Sequence, residues 1–522
     1  MTSYEQNLGI TQSNRATETA MKRRTTNPEV DYTERRSLES DFLSRVCSVA
    51  LLLRVSTVFS TIVVLAGCTT MAPKYTQPAA PVPSAWPVSK ESATDAAQPQ
   101  QKAVADIPWQ EFFVDKQLSK LIELALKNNR DLRIAALSIE RFRALYQIRS
   151  ADRLPKIDAN AAAGYQRIPE TLSSNGQAMT THQYSAGLGL VSYELDLFGR
   201  VQSLKDQALE QYLATEQAQR SVQISLVSQV AASWLALAAD RERLQLAKET
   251  LASQQESFSL TKSRFEAGVS NLLALNQARS TVDAARVDIA RYTALVAQDV
   301  NTLNLLVGSQ VPAELLPQAL SETLTALKDL APALPSEVLL RRPDILQAEG
   351  QLKGVNANIG AARAAFFPKI TLVSSVGFGS TELSGLFKGD AFAWSFLPRI
   401  SLPVFDGGSN SANLKVAEVD RDIAVAQYEK AIQAAFREVS DALAQRENID
   451  EQLAAQQSLT DATSESYKLS RARFDKGVDS YLAVLDSQRS FYGAQQNLIG
   501  VRLVRLTNLV TLYKALGGGG KE

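Results

Sequence analysis

Hydrophobic residues recur every seven positions over much of this chain. Val230, Leu237, Leu244, Leu251, Phe258 and Phe265 form one series, and Leu275, Val282, Ile289, Val296 and Leu303 form another beyond a glycine-containing turn. That spacing predicts two long coiled-coil helices joined tip to tip. Val484, Phe491, Leu498 and Leu512 repeat the layout less strictly, with Arg505 interrupting the seam. At about 1.5 Å per residue, a helix of roughly sixty residues reaches about 90 Å, which makes a rod rather than the side of a compact domain.

Four shorter stretches alternate instead. Strands are expected at Lys156–Ile168, Gln183–Leu195, Lys369–Thr381 and Phe392–Phe405. Tyr184, Ala186, Leu188 and Leu190 share one face of their strand, as do Ile370, Leu372, Val376 and Phe378, and Phe392, Trp394, Phe396 and Ile400. A length of about ten residues fits a tilted membrane strand, although soluble hairpins on an apolar surface show the same alternation. Gly164, Gly187, Gly189, Gly377 and Gly379, with Tyr165, Tyr193 and Trp394 near strand ends, favour a barrel wall. Four strands are too few to close a barrel, for which about eight is the practical minimum, so this reading requires three chains and about twelve strands.

The chain is written twice. Asn129-Arg-Asp131-Leu aligns with Arg342-Pro-Asp344-Ile, and Leu154-Pro155-Lys156-Ile157 with Phe367-Pro368-Lys369-Ile370, both at an offset of 213 (131 to 344, 155 to 368). Arg264-Phe265-Glu-Ala-Gly268-Val269 aligns with Arg473-Phe474-Asp-Lys-Gly477-Val478 at 209 (265 to 474). A hairpin loop is expected to absorb the four-residue difference. Each unit reads as a helix, two strands and two long helices.

Composition narrows the function. Lys+Arg and Asp+Glu are equal at 55 each, so nothing draws the chain to a polyanion. Its two cysteines, Cys47 and Cys68, lie ahead of any folded unit and build neither a disulfide framework nor a metal site. The single histidine, His182, sits in a polar stretch that reads as solvated, and no catalytic constellation or phosphate loop occurs. No enzyme activity, metal or cofactor is expected. The apolar run Val55–Ala66 is too short for a spanning helix, and no later segment was expected to reach the required length of about 20 residues.

Arg45 and Arg54 followed by that run have the order of a secretory signal. Leu65-Ala66-Gly67-Cys68 resembles a bacterial lipoprotein box, which implies cleavage before Cys68 and a covalent lipid on it; an ordinary signal peptide with a chance cysteine is the alternative. Thr69 and Thr70, without aspartate at the second position, resemble sorting onward to the outer membrane. The polar residues ahead of the signal suggest that translation starts further downstream. Proline-rich residues 68–108 read as an extended tether.

Several motifs resemble the TolC-like outer-membrane efflux proteins, specifically the lipoprotein branch serving resistance-nodulation-division pumps. They are Arg341-Arg342-Pro343-Asp344-Ile345, Ile359-Gly360-Ala361-Ala362-Arg363, Phe366-Phe367-Pro368-Lys369-Ile370, Glu194-Leu-Asp196-Leu-Phe198-Gly199-Arg200 and Leu402-Pro403-Val-Phe405-Asp406-Gly407-Gly408. The resemblance implies an α+β membrane protein: a trimeric outer-membrane β-barrel of twelve strands, four per chain, continued by a long periplasmic α-helical barrel. The expected segments are 1–67 removed, 68–108 tether, 109–311 first repeat, 312–335 linker in an equatorial belt, 336–518 second repeat and 519–522 tail.

By the same resemblance, the helical tips meet a periplasmic adaptor protein beside an inner-membrane pump. Candidate contacts are Arg264, Phe265, Gly268, Val269, Arg473, Phe474, Gly477 and Val478, although helix termination alone explains the glycines. Leu482, Asp486 and Arg489 match a periplasmic constriction, while Ala483 stands where some relatives carry a second aspartate, and Gln277 is the first-unit counterpart of Asp486. An ordinary i, i+3 pair between Asp486 and Arg489 is the plain alternative. The expected function is passive exit of drugs or other toxic small molecules, with metal-ion efflux or protein secretion as alternative cargo and a pore-free structural lipoprotein as the least favoured reading.

Overall fold

A computed structural model describes residues 70–87, 104–174, 176–321, 325 and 336–519. The signal region, Cys68, residues 88–103, most of the linker and the last three residues therefore lie outside the described residues.

Ahead of the first strand come α1 (Trp109–Phe112), α2 (Lys116–Asn128) and α3 (Arg130–Ala151). The side chain of Asp115 opens α2 by accepting from the amides of Gln117 and Leu118 at 2.8 and 2.9 Å, and Asn129 opens α3 by accepting from Leu132. Then follow β1 (Ile157–Ile168), β2 (Met179–Leu195), α4 (Arg200–Glu266) and α5 (Leu272–Val307). The second repeat supplies α6 (Pro343–Ala364), β3 (Lys369–Ser380), β4 (Phe392–Ser401), α7 (Ser409–Asp475) and α8 (Tyr481–Ala515). Both α4 and α7 run for 67 residues, about 100 Å at the usual helical rise. Gly199 and Gly408, with φ of 69° and 87°, make the left-handed corners that turn a strand into each of these helices.

The four strands form one antiparallel sheet in the order β1-β2-β3-β4, so both repeats contribute to a single surface. Two boundaries differ from expectation. β2 begins at Met179, four residues earlier than its alternation suggested, and β4 ends at Ser401, before Pro403, which lacks the amide that a continuing ladder needs. The difference between the repeats is also not absorbed by the hairpin loops: residues 169–178 and 381–391 are nearly equal in length, whereas β2 has 17 residues and β4 has 10.

The main core lies midway along the long helices. Phe112, Phe113, Leu118, Leu121 and Ile122 pack on Val230, Trp234 and Leu237 of α4, Leu303 and Val307 of α5, and Leu512 and Tyr513 of α8. Phe112 stacks on Tyr513 at 3.9 Å, and the Tyr513 hydroxyl donates to the Ile107 carbonyl. An 18-residue window of α4 is apolar enough by composition to cross a membrane, contrary to expectation, but 61% of it is buried inside the chain. It is core helix.

The start of the inter-repeat linker is pinned here. Trp234 donates to the Leu315 carbonyl, Arg241 to that of Pro317 and Arg502 to that of Leu320. Asn129 and its repeat counterpart Arg342 do the same structural work: Asn129 donates to the Leu306 carbonyl near the end of α5, and Arg342 to Ala515 at the end of α8. Arg342 is also paired with Asp344 and Glu438, so the most specific sequence motif is a clamp inside the fold.

Residues 70–87 are no loose tether. Thr70 bonds Ser203, Asn356 donates to the Pro73 carbonyl, Tyr75 donates to Glu349, Gln77 donates to Tyr428, and Trp86 stacks on Phe436 at 4.7 Å. Gly360 leaves room for this strap, because a Cβ there would sit 2.6 Å from the Ala72 amide nitrogen.

Candidate channel wall and helical tips

The register of the sheet sorts its side chains. Ala159, Leu188, Val376 and Trp394 lie in one cross-strand row, and Ala161, Ala186, Phe378 and Phe392 in another on the same face. A bulge between Leu190 and Tyr193 returns Tyr193 and Leu195 to the face of Leu372 and Ile370. The three apolar sets expected from separate strands therefore form one continuous surface. It is unpacked: Trp394 is 72% exposed and Ile400 69%. An apolar sheet face of this extent needs a membrane or a partner to cover it.

The opposite face carries Asp158, Asn160, Gln166, Gln183, Ser185, Ser375 and Ser395 together with Gly187, Gly189 and Gly377. Gly187 and Gly377 face each other so closely that a Cβ on Gly377 would stand 2.4 Å from the Ala186 carbonyl oxygen. Apolar outside and polar inside is the pattern of a membrane barrel wall with a wet lumen. His182 is exposed, as its polar context suggests, but it lies on the strand β2 within the apolar face, edge-on to Tyr165 at 5.2 Å.

Where strands become helices, Glu194 is bound by Arg200 at 2.6 Å and Lys369 at 3.0 Å, and Phe198 stacks on Phe367 at 4.8 Å. The segments 194–200 and 366–370 thus form one joint between the repeats. The carboxylate partner raises the Arg200 pKa above its usual value against the opposing effect of burial.

At the far end, α4 and α7 terminate alike. The Gly268 amide donates to the Phe265 carbonyl and Val269 to Arg264; Gly477 donates to Phe474 and Val478 to Arg473, each at 2.9 Å. This is the Schellman closure, and the glycine φ values of 72° and 74° explain the residue type. The valines normally cover the helix end, yet Val269 is 75% exposed and Val478 62%. Leu272 and Leu273 add to this apolar tip; sequence reading passed over them because a helix start is a satisfactory account of their position. Arg264 lies over the Phe474 ring at 4.6 Å, bringing the two tips together. Arg473 is committed to Asp479 within its own turn, which lowers the Asp479 pKa, so it is less free for a partner than the sequence suggested.

Leu482, Asp486 and Arg489 lie on the exposed face of α8, while Val484, Leu485 and Gln488 turn inward. Tyr481, Val484 and Leu485 pack with Ala278 of α5 into a small core that holds the helix start. The alternative i, i+3 ion pair is not formed: neither Asp486 nor Arg489 has a charged partner among the described residues. Among the described residues, no group of three or more His, Cys, Asp or Glu side chains is arranged to hold a metal.

Comparison with known proteins accounts for this geometry. A family model described as outer membrane efflux protein matches residues 121–309 and again 334–518, one match per repeat. The antibiotic efflux pump outer membrane protein ArpC of Pseudomonas putida is 47% identical over 459 residues, covering 88% of this chain and 94% of its own. The toluene efflux pump outer membrane protein TtgC of Pseudomonas putida has the same 47% identity, with coverage of 88% and 94%. The open-state MtrE outer membrane channel of Neisseria gonorrhoeae superposes with a TM-score of 0.77 at 37% identity, over 87% of this chain and 99% of that one. With its duplicated helical hairpins and two-faced sheet, the chain belongs to the outer membrane efflux protein family and is the outer-membrane channel component of an efflux pump.

Proposed function

We propose that three copies of the chain close into one conduit through which small antibiotics and aromatic solvents leave the cell passively. An inner-membrane resistance-nodulation-division pump supplies them, with a periplasmic adaptor gripping the apolar tips at Val269, Leu272, Leu273 and Val478. Leu482, Asp486 and Arg489 line its periplasmic constriction, where three Asp486 carboxylates draw cationic solutes by their summed field.

The observation that carries this reading is an interface present once inside the chain and left half-made at its ends. Within the chain, Gly350 and Gly354 of α6 pack on α4, where a Cβ on Gly350 would lie 3.1 Å from that of Ala214. The repeat counterparts of Gln207, Glu210 and Ala214 on α7 are Val416, Val419 and Ile423, 58%, 41% and 50% exposed. The counterpart of α6 is α3, which buries no residue and presents Ile134, Leu137, Leu145 and Ile148 to solvent. Seating α3 of one copy on α7 of the next covers both stripes, and three such contacts close a ring.

A lipid on Cys68 fits the same assembly, since Thr70 is fixed to Ser203 at the strand-to-helix joint. The cargo matches that of the two Pseudomonas putida relatives, an antibiotic efflux pump protein and a toluene efflux pump protein. Accumulation of cationic dyes, neutral antibiotics, toluene and metal salts tests it, in cells with and without the gene and with other exit channels deleted. Build-up of drugs and solvent in its absence is the expected result; build-up of metal alone, or of nothing, overturns the cargo assignment.

A further inference from the structure

β1 and β4 are the two edges of the sheet. Among the strand residues on the polar face near the helical end, four are charged: Asp158, Glu194, Lys369 and Arg399. Glu194 and Lys369 are joined across the β2–β3 pair. Asp158 on β1 and Arg399 on β4 are exposed and have no charged partner among the described residues. Their signs are opposite, and each stands on a different open edge.

We propose that Arg399 of one copy pairs with Asp158 of the next inside the barrel, once at every seam, and that these ion pairs fix the register of closure and cancel the charge of the lumen wall. The proposal rests on the three-copy assembly described above.

The internal duplication supplies the register of the seam. An offset of 213 carries β1 onto β3 (Pro155 to Pro368), and an offset of 207 carries β2 onto β4 (Phe198 to Phe405). The observed β2–β3 partners are Leu195 with Ile370, Glu194 with Thr371 and Tyr193 with Leu372. Carried to the seam, they become Leu402 with Ile157, Ser401 with Asp158 and Ile400 with Ala159. The ladder then sets Arg399 opposite Asn160, with Asp158 two residues along β1 toward the helices.

Two observations support that placement. It keeps Ile157, Ala159 and Ile400 on the apolar face and Asp158, Asn160, Arg399 and Ser401 on the polar one, whereas a one-residue slip would put apolar against polar along the whole seam. The same diagonal is also already used inside the chain. Glu194 stands opposite Thr371 yet bonds Lys369, two residues along β3 toward the helices, at 3.0 Å. Diagonal neighbours on one face are about 7–8 Å apart at the backbone, within reach of a long side chain. The seam pair repeats this contact with the charges exchanged between strands.

Loss of one partner leaves three like charges in the lumen, which an ion-selectivity measurement detects. The test is the reversal potential of the purified protein in planar bilayers under a KCl gradient, for the wild type, Arg399→Gln, Asp158→Asn and the doubly exchanged Asp158→Arg/Arg399→Asp. Relative to wild type, Arg399→Gln is expected to shift selectivity toward K⁺, Asp158→Asn toward Cl⁻, and the exchanged variant to return near wild type. Single variants that leave the reversal potential unmoved, or an exchanged variant no nearer wild type than either single one, overturn the pairing. Sedimentation of the same samples separates the causes. Trimers with unaltered selectivity refute the ion pair alone, whereas a wild-type protein that does not form trimers refutes the assembly and the pair together.

Discussion

Asp486 and Gln277 occupy the same place in the two helical hairpins, as do Arg489 and Ser280, so the charged side chains of the proposed constriction come from the second unit alone. Asp486 has no charged partner among the described residues, so its field is available to solutes. Asp486→Ala is expected to lower the cation preference of single channels or raise their conductance; traces identical to wild type would remove Asp486 from the gate. A second carboxylate was not legible beforehand. Burial, with the Asp240 carboxyl of α4 beside it, pushes the pKa of Asp299 on α5 up to about 6. Asp240 itself is held by Arg243 at 2.7 Å. Because the folded state holds a proton on Asp299 that the unfolded chain releases nearer pH 4, its contribution to stability is present at low pH and is lost as pH rises through about 6. The wild-type unfolding midpoint should therefore fall more between pH 5 and 7 than that of Asp299→Asn; equal slopes would contradict this. Exposed motif residues were readable from resemblance, but contacts between distant residues, such as Asp240 with Asp299 or Arg342 with Ala515, depend on which helices pack together, and no local spacing records that.

At the scale of elements, α7 followed from the duplication, and periodicity located α4, α5, α8 and the strands, because a seven-residue or two-residue repeat is dictated by the shape of the element itself. It failed at the ends. β2 extends to Met179 through the polar residues Thr180, Thr181 and His182, whose partners on β1 sustain the ladder without hydrophobic alternation. Residues 70–87 carry tether-like composition yet lie along a groove that Gly360 keeps open, and composition cannot register a groove made by other segments. The seven-residue series on α5 was also only half the seam: of its members only Leu303 is buried, while Ala278, Ala285 and Tyr292, three positions further along from Leu275, Val282 and Ile289, are buried in their place. The exposed stripe on α7 carries the clearest consequence. Burying one aliphatic side chain contributes about 1.5–3 kcal/mol, and a carboxylate in its place costs more because it is desolvated. Ile423→Asp is thus expected to shift detergent-solubilised trimers toward monomers in sedimentation, while Ile423→Leu stays trimeric. Trimers unaffected by Ile423→Asp would mean that α7 meets no neighbour there.

For the whole molecule, the duplication is the organising fact. One unit builds half a sheet and one helical hairpin, two units build a surface with matching free edges, and neither the sheet nor the exposed helix stripes are complete in a single copy. The sequence made this visible as two aligned halves, and the observed register turns it into a rule for how copies meet. Passive exit requires an open path through that assembly, and the conductance of the purified protein in planar bilayers tests it most directly. Stepwise, long-lived channels of uniform size, carried by the trimeric fraction alone, are the expected result. Trimers that insert into the bilayer and pass no current, even with Asp486 replaced by alanine, would contradict it.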